Sequence, residues 1–410
     1  MGDPEPALTI SADDLRSTPN ALARHYRRFA VSDRLLLTGH SHQAWPDVAE
    51  EGLLRCFADA AEAVDAKWER AETTAERVRA GYRSLLADPT GEIALGPNTH
   101  DLVVKLLSAL DLHRRPRVVT TDAEFHSLRR QLARLAEEGL EVERVPAKPV
   151  DTLAERLAAA VDNRTALVAV SAVLFTTARI VPNLAAVASR CERFGAELLV
   201  DAYHALGVVP FPVHHQGLAA AWITGGGYKY LQLGEGNGFL RVPPHAAGVR
   251  PVVTGWYAEP DGLFDAGRPG HVAYGPPASR FAGGTYDPSS HYRAARVLDF
   301  FAEHGLQPTF LRAVSLHQVG LLRSAFDALG LPDGLVTRDR ETPAAAVGGF
   351  LALHSPVAPR LRQALSGRGV HADSRGDILR LGPAPYLSDD QLEMAVALLG
   401  EVAAEVAPTG

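Results

Sequence analysis

At 410 residues, 46% of them hydrophobic and 22% charged, the chain has enough apolar material for two domains or more, and its composition is that of an ordinary soluble globular protein. A net charge of −7 leaves no basic footprint for nucleic acid, and no apolar run is long enough to span a bilayer. The expectation is a cytoplasmic protein with neither a nucleic-acid nor a membrane partner.

The chain opens on Met1-Gly2-Asp3-Pro4-Glu5-Pro6, which has neither the basic start nor the apolar stretch of a signal peptide. Pro6 also stands where a myristoylation signal wants Ser or Thr. From about residue 92 to 243, short β-rich runs alternate with helical periodicity. The strands are expected at 92–95, 118–121, 141–145, 166–172, 197–201, 220–224 and 238–242, and the helices at 101–110, 128–138, 153–161 and 184–194. Such alternation predicts an α/β fold with a mostly parallel sheet between helices, and ligands of such sheets sit beyond the carboxyl ends of the strands.

After Pro251 the texture changes. Residues 255–290 are rich in Gly, Pro and aromatics and are expected to form loop. Helices follow near 291–304 and 308–329, then a β-rich run at 348–353, a helix at 359–368, a strand at 378–381 and a last helix from Ser388 to about Val406. Ser388 with Gln391 three residues later forms a capping signal. The expected organisation is a large domain over 46–290 and a smaller α+β domain made of 1–45 and 291–410. Two cysteines, Cys56 and Cys191, fall in helical patterns and form no metal-type cluster.

Lysine is scarce. Only Lys67, Lys105, Lys148 and Lys229 occur, and arginine carries the rest of the positive charge. Lys229 lies in Gly225-Gly226-Gly227-Tyr228-Lys229-Tyr230, just after an apolar run. A lysine kept in a glycine-rich turn suits chemistry that needs an amine able to lose its proton, above all Schiff-base formation; arginine cannot serve there. Asp201 ends the run Glu197-Leu198-Leu199-Val200, where a carboxylate is costly unless it meets a cationic partner. Adjacent strand ends would bring Asp201 and Lys229 around one cavity.

Asp201-Ala202-Tyr203-His204-Ala205-Leu206-Gly207, followed by Gly227-Tyr228-Lys229-Tyr230-Leu231, resembles the class V aminotransferase and kynureninase-like enzymes of fold type I. Those enzymes use pyridoxal 5′-phosphate, and the likeness extends from about Gly39 to the last helix. The resemblance implies a mostly parallel sheet sandwiched by helices, plus a smaller α+β domain, in a homodimer with shared active sites. It implies that Lys229 holds the cofactor as an internal aldimine and later shuttles protons. Asp201 would keep the pyridine nitrogen protonated, and His204 would lie near the ring oxygen.

The turn Gly96-Pro97-Asn98-Thr99-His100 precedes an amphipathic helix, whose free N–H groups suit the phosphate, so Thr99 and His100 are assigned there; the plain alternative is Thr99 as an N-cap. Phe125, or else His126, would stack on the ring, unless Phe125 is ordinary core. Tyr228 would reach the phosphate, as would Trp256 and Thr285 of a neighbouring subunit. Arg380, with Arg375 as competitor, would clamp the substrate carboxylate. His40 and His42, two apart, would face one way in an extended segment and border the substrate; no third ligand beside them suggests a metal.

The stretch Gly369-Val370-His371-Ala372-Asp373-Ser374-Arg375 has no cysteine to accept sulfur as persulfide-forming desulfurases require. Asp65-Ala66-Lys67-Trp68-Glu69 stands where kynureninase carries an extra histidine. The expected chemistry is therefore Cβ–S or Cβ–C cleavage on an α-amino acid or amino-acid conjugate. Aminotransfer and decarboxylating deamination by the same residues are the alternatives, and a non-catalytic cofactor-binding protein is the distant one. High arginine and low lysine suit a bacterial, natural-product setting.

Overall fold

The seven runs expected as strands between residues 92 and 243 pair into one seven-stranded sheet. In the computed structural model, which describes residues 10–259 and 270–406, the first elements are α1 (Ala12–Arg16), β1 (Leu35–Leu36), α2 (Val48–Ala63) and α3 (Lys67–Leu85). The opening Met1-Gly2 motif and residues 260–269 of the expected loop lie outside the described residues. Next come β2 (Glu92–Gly96), α4 (Thr99–Ala109), β3 (Arg117–Thr121), α5 (His126–Glu137), β4 (Glu141–Val145), α6 (Leu153–Ala160), β5 (Thr165–Ser171) and α7 (Leu184–Phe194). The chain continues through β6 (Glu197–Asp201), β7 (Trp222–Gly226), β8 (Gly238–Val242), α8 (Ser289–Glu303), α9 (Pro308–Ala328), β9 (Thr337–Arg338) and β10 (Leu351–His354). It closes with α10 (Ala358–Gly367), β11 (Val370–His371), β12 (Asp373–Arg375), β13 (Ile378–Leu381) and α11 (Asp389–Val406).

The main sheet runs β2-β8-β7-β6-β5-β3-β4, and β8 alone runs opposite to the other six strands. Every residue of β5 is buried, as a central parallel strand covered on both faces requires. Alternate residues feed two cores. Val168, Val170, Leu198 and Val200 join one, and Leu167, Ala169, Leu199 and Trp222 join the other, because successive strand side chains point to opposite faces.

A four-stranded antiparallel sheet, β12-β13-β10-β9, forms the second layer system, and β1 pairs in parallel with β11. The N-terminal segment is tied to it: Thr38 bridges to Gly382, and Gln391 Nε2 donates to the Val31 carbonyl at 2.8 Å. Helix α8 packs on α2 and α3, whereas α9 packs on α11. The capping signal at Ser388 is present: the Gln391 side chain accepts from the Ser388 N–H at 3.1 Å.

Two differences from the expected elements have physical causes. Strand β7 begins two residues later than expected and includes Gly225 and Gly226, which pair with Phe239 and Gly238 of β8. Gly226 is needed for close approach, since a Cβ there would stand 2.5 Å from the Tyr203 hydroxyl. Helices α2 and α3 precede the alternation; α2 buries only Ala49, Gly52 and Asp59, so its inward face carries little hydrophobic contrast, whereas α3 buries Ala71, Thr74 and Ala75 together with Val78 and Tyr82.

Candidate active site

The carboxyl ends of β6 and β7 set the centre of the site. Asp201 is the last residue of β6 and lies opposite Ser171 of β5 and Thr224 of β7. Its side chain accepts from the Tyr203 N–H at 2.8 Å. Burial pushes the Asp201 carboxyl up, while that N–H and the Lys229 charge hold it down. Lys229 follows β7 by three residues and is buried, with Nζ 2.8 Å from His204 Nε2. Burial pushes the Lys229 ammonium down to about 7 from its ordinary 10.5, against the pull of Asp201.

With Lys229 donating to Nε2, the His204 proton is assigned to Nδ1, a buried atom with no partner among the described residues. Burial first, then the charge of Lys229, drives His204 well below its usual value, so its ring is neutral.

Asp201, His204 and Lys229 share one cavity of about 220 Å³ with Thr99, His100, Phe125 and Tyr228. Asp201 and Lys229 are therefore brought together as expected from the strand ends. The amine stands 5.2 Å from the Phe125 ring and 4.5 Å from the Tyr203 ring. His126 begins α5 and does not line this cavity; it lines a larger cleft, packed edge-on to Phe175 at 5.3 Å. Of the two candidates, Phe125 is the one on the cavity.

Helix α4 points its N-terminus at the same space. Asn98, not Thr99, is the cap: its side chain accepts from the Asp101 N–H at 2.9 Å. Thr99 is thus freed from capping and lines the cavity beside the first-turn N–H groups, which have no acceptor inside the helix.

His40 and His42 do not face one way. Ser41 N–H donates to the Thr38 carbonyl at 2.8 Å, so the segment turns instead of extending. His40 is buried against Asp373, with its Nε2 3.3 Å from Oδ1, whereas His42 is exposed and stacks on Tyr228 at 5.0 Å. Arg380 is buried and Arg375 exposed, and both touch Asp373. Trp256 is 49% exposed, Thr285 is exposed, and neither lines the cavity of its own chain. Trp68 packs on Tyr257 and Tyr286, away from the cavity. Among the described residues no cluster could hold a metal ion, and no helix is long and apolar enough to cross a membrane.

Two carboxylates near the site carry no motif in the sequence, Glu124, which is buried, and Asp373, which is half-buried. Glu124 accepts from the Thr121 hydroxyl at 2.7 Å and from the Ser171 hydroxyl at 2.6 Å, and burial pushes it up to about 7. It stands behind Asp201, whose register partner is Ser171. The only local signal was an acidic residue immediately before Phe125. Asp373 is the other, and nothing local marks it.

A titration tests the state of the amine. With lysine carrying ¹³C at Cε, the apo protein should show one resonance, absent from Lys229→Ala, that titrates with a midpoint near 7. Because the folded protein binds this proton less tightly than the unfolded chain, apo stability should rise as pH increases from about 7 towards 10.5. A midpoint near 10 would contradict the burial argument.

No protein-family model matches the chain. The uncharacterized aminotransferase YcbU of Bacillus subtilis is 25% identical over 334 residues, 80% of this chain and 84% of that one. Among solved structures, a complex of a cystine C–S lyase with its product cysteine persulfide superposes with a TM-score of 0.79 at 19% identity, over 92% of this chain and 99% of that one. A mutant of the same lyase, with glycine covalently linked to its pyridoxal phosphate cofactor, gives 0.80 at 18% identity over 92% and 98%. The cysteine desulfurase of Thermococcus onnurineus gives 0.78 at 17% identity over 95% and 98%. The chain therefore has the fold-type I architecture of the class V pyridoxal-phosphate enzymes, in the form seen in the C–S lyase and the cysteine desulfurases.

Proposed function

We propose that the chain is a pyridoxal-phosphate-dependent enzyme that cleaves a Cβ–S bond of an amino acid or amino-acid conjugate by β-elimination. The observation that carries this reading is the buried amine of Lys229 on one cavity with the half-buried carboxylate of Asp201. An amine near neutral and an anion at a strand end suit the cofactor's aldehyde and pyridine nitrogen. The unpartnered His204 Nδ1 adds a donor for its ring oxygen. When bound, pyridoxal phosphate supplies an electrophilic aldehyde and an electron-withdrawing ring.

The chain's own residues have separable tasks. Thr99 and the N–H groups of α4 would hold the phosphate, with His100 and Tyr228 at its edge. Phe125 would pack over the ring and exclude water, and Asp201 would orient it. Lys229, neutral above about pH 7, would take the substrate α-proton and return it to a carbon or to the leaving group. A homodimer is part of the reading. Trp256 and Thr285 lie outside their own cavity, and Leu54, Phe57 and Val252 are exposed apolar side chains that a partner would cover.

Cysteine chemistry on the protein itself is not used. Cys56 lies in α2 and Cys191 is buried in α7, and neither lines the cavity. The stretch 369–375 is held in β11 and β12. These observations favour release of the sulfur product over its transfer to a protein thiol. The likeness to a C–S lyase supports the Cβ–S reading over kynureninase-type Cβ–C cleavage.

The likeness to YcbU supports a second reading, aminotransfer. Cofactor-loaded protein given cystine and cysteine S-conjugates should release pyruvate without an added keto acid. Turnover that depends on an added keto acid would establish aminotransfer instead.

A further inference from the structure

The guanidinium beside the cavity is already occupied. Arg380 lies on β13 directly across from Asp373 on β12, and the two strands are joined by a tight turn at Gly376 and Asp377. Asp373 Oδ1 accepts from Arg380 Nε and Oδ2 accepts from Nη2, both at 2.6 Å. Nη1 donates to the Phe175 carbonyl at 2.6 Å. This is a two-point fork of the kind a ligand carboxylate would otherwise make.

The pair is locked from several sides. His40 Nε2 stands 3.3 Å from Oδ1, and Arg375 Nη2 stands 3.1 Å from Oδ2. The Phe350 ring packs against both His40, at 4.8 Å, and the Arg380 guanidinium, at 5.6 Å. The Arg380 side chain is only 4% exposed, and it lines neither the cavity of Lys229 nor the neighbouring cleft. Burial alone would push the Asp373 carboxyl up, but the hydrogen bonds from His40 and Arg380 hold it well below the usual carboxylate range. It is therefore an anion at neutral pH. A second carboxylate brought to the same guanidinium would meet that charge at close range. Arg375 is itself paired with Asp373, and its exposed head is screened by solvent.

We propose that Asp373 is a specificity-determining residue, an internal carboxylate that holds the Arg380 fork against the substrate's own. The inference rests on the proposed amino-compound site and narrows its substrate class. The favoured ligand is an amino-acid derivative whose α-carboxylate is masked, as an amide or ester, and a small free α-amino acid gains little from its carboxylate.

L-Alanine and L-alaninamide, titrated into the cofactor-loaded protein and followed by the cofactor spectrum, separate the outcomes. The wild-type dissociation constants should lie within about threefold of each other. Asp373→Asn keeps the side-chain volume and removes the charge, and should tighten L-alanine by about tenfold while leaving L-alaninamide unchanged. The gain should vanish when Arg380 is also changed to Gln. A wild type that prefers L-alanine by about tenfold or more, or an Asp373→Asn protein that binds it more weakly, would overturn the proposal. The wild-type comparison is decisive by itself if the variant does not fold. Protein that takes up no cofactor would instead sink the proposed function, and this inference with it.

Discussion

Replacing Lys229 with alanine is expected to abolish borohydride-fixable attachment of pyridoxal phosphate and to lower turnover by about 10³-fold or more, within the range one positioned proton-transfer group supplies. Lys229 is the sole lysine on the cavity. Lys105, the other lysine shifted down by burial, donates to the Phe281 carbonyl at 2.7 Å. The apo variant should fold, because the change removes a buried amine whose charged form is already disfavoured. Its melting temperature should hold or rise below pH 7, where the wild type bears the whole cost of a buried ammonium. Small amines such as ethylamine should restore part of the turnover by entering the vacated space. Equal fixation of cofactor in wild type and variant would reject the assignment of the amine.

The centre of the site was legible because its signals are local. Asp201 and Lys229 each follow a run of apolar residues, and the glycines between Thr224 and Tyr228 break β propensity at a place where close packing demands them. The parallel sheet was legible for the same reason: β5 and β6 are continuous apolar runs between helical segments. What depends on register was not legible. Asp373 meets Arg380 only because a hairpin sets them opposite, and Asp373 sits between Ala372 and Ser374 with nothing to mark it. His40 and His42 were read as one face of an extended segment, and a single turn hydrogen bond at Ser41 sends them apart. Asn98 and Thr99 are both acceptable caps by composition, and backbone geometry decides between them. Helix α2 carried too little contrast, since small side chains meet α8.

Asp201→Asn separates cofactor uptake from chemistry. The amide is nearly isosteric, and its oxygen can still accept from the Tyr203 N–H, now at 2.8 Å. The variant should therefore keep its fold and its Lys229-dependent cofactor attachment. The negative charge facing the cavity is lost, and turnover should fall by about 10²–10³-fold, as when one preorganised electrostatic partner is removed from a reacting centre. The amine reports the same change independently. Asp201 raises the proton affinity of Lys229, so its removal should move the ¹³C titration midpoint of the apo protein below about 7. A structural role alone would alter stability and leave that midpoint in place. Turnover within about threefold of wild type, with the midpoint unmoved, would mean that Asp201 does not face the reacting group, and the proposed chemistry would lose its electron-sink partner.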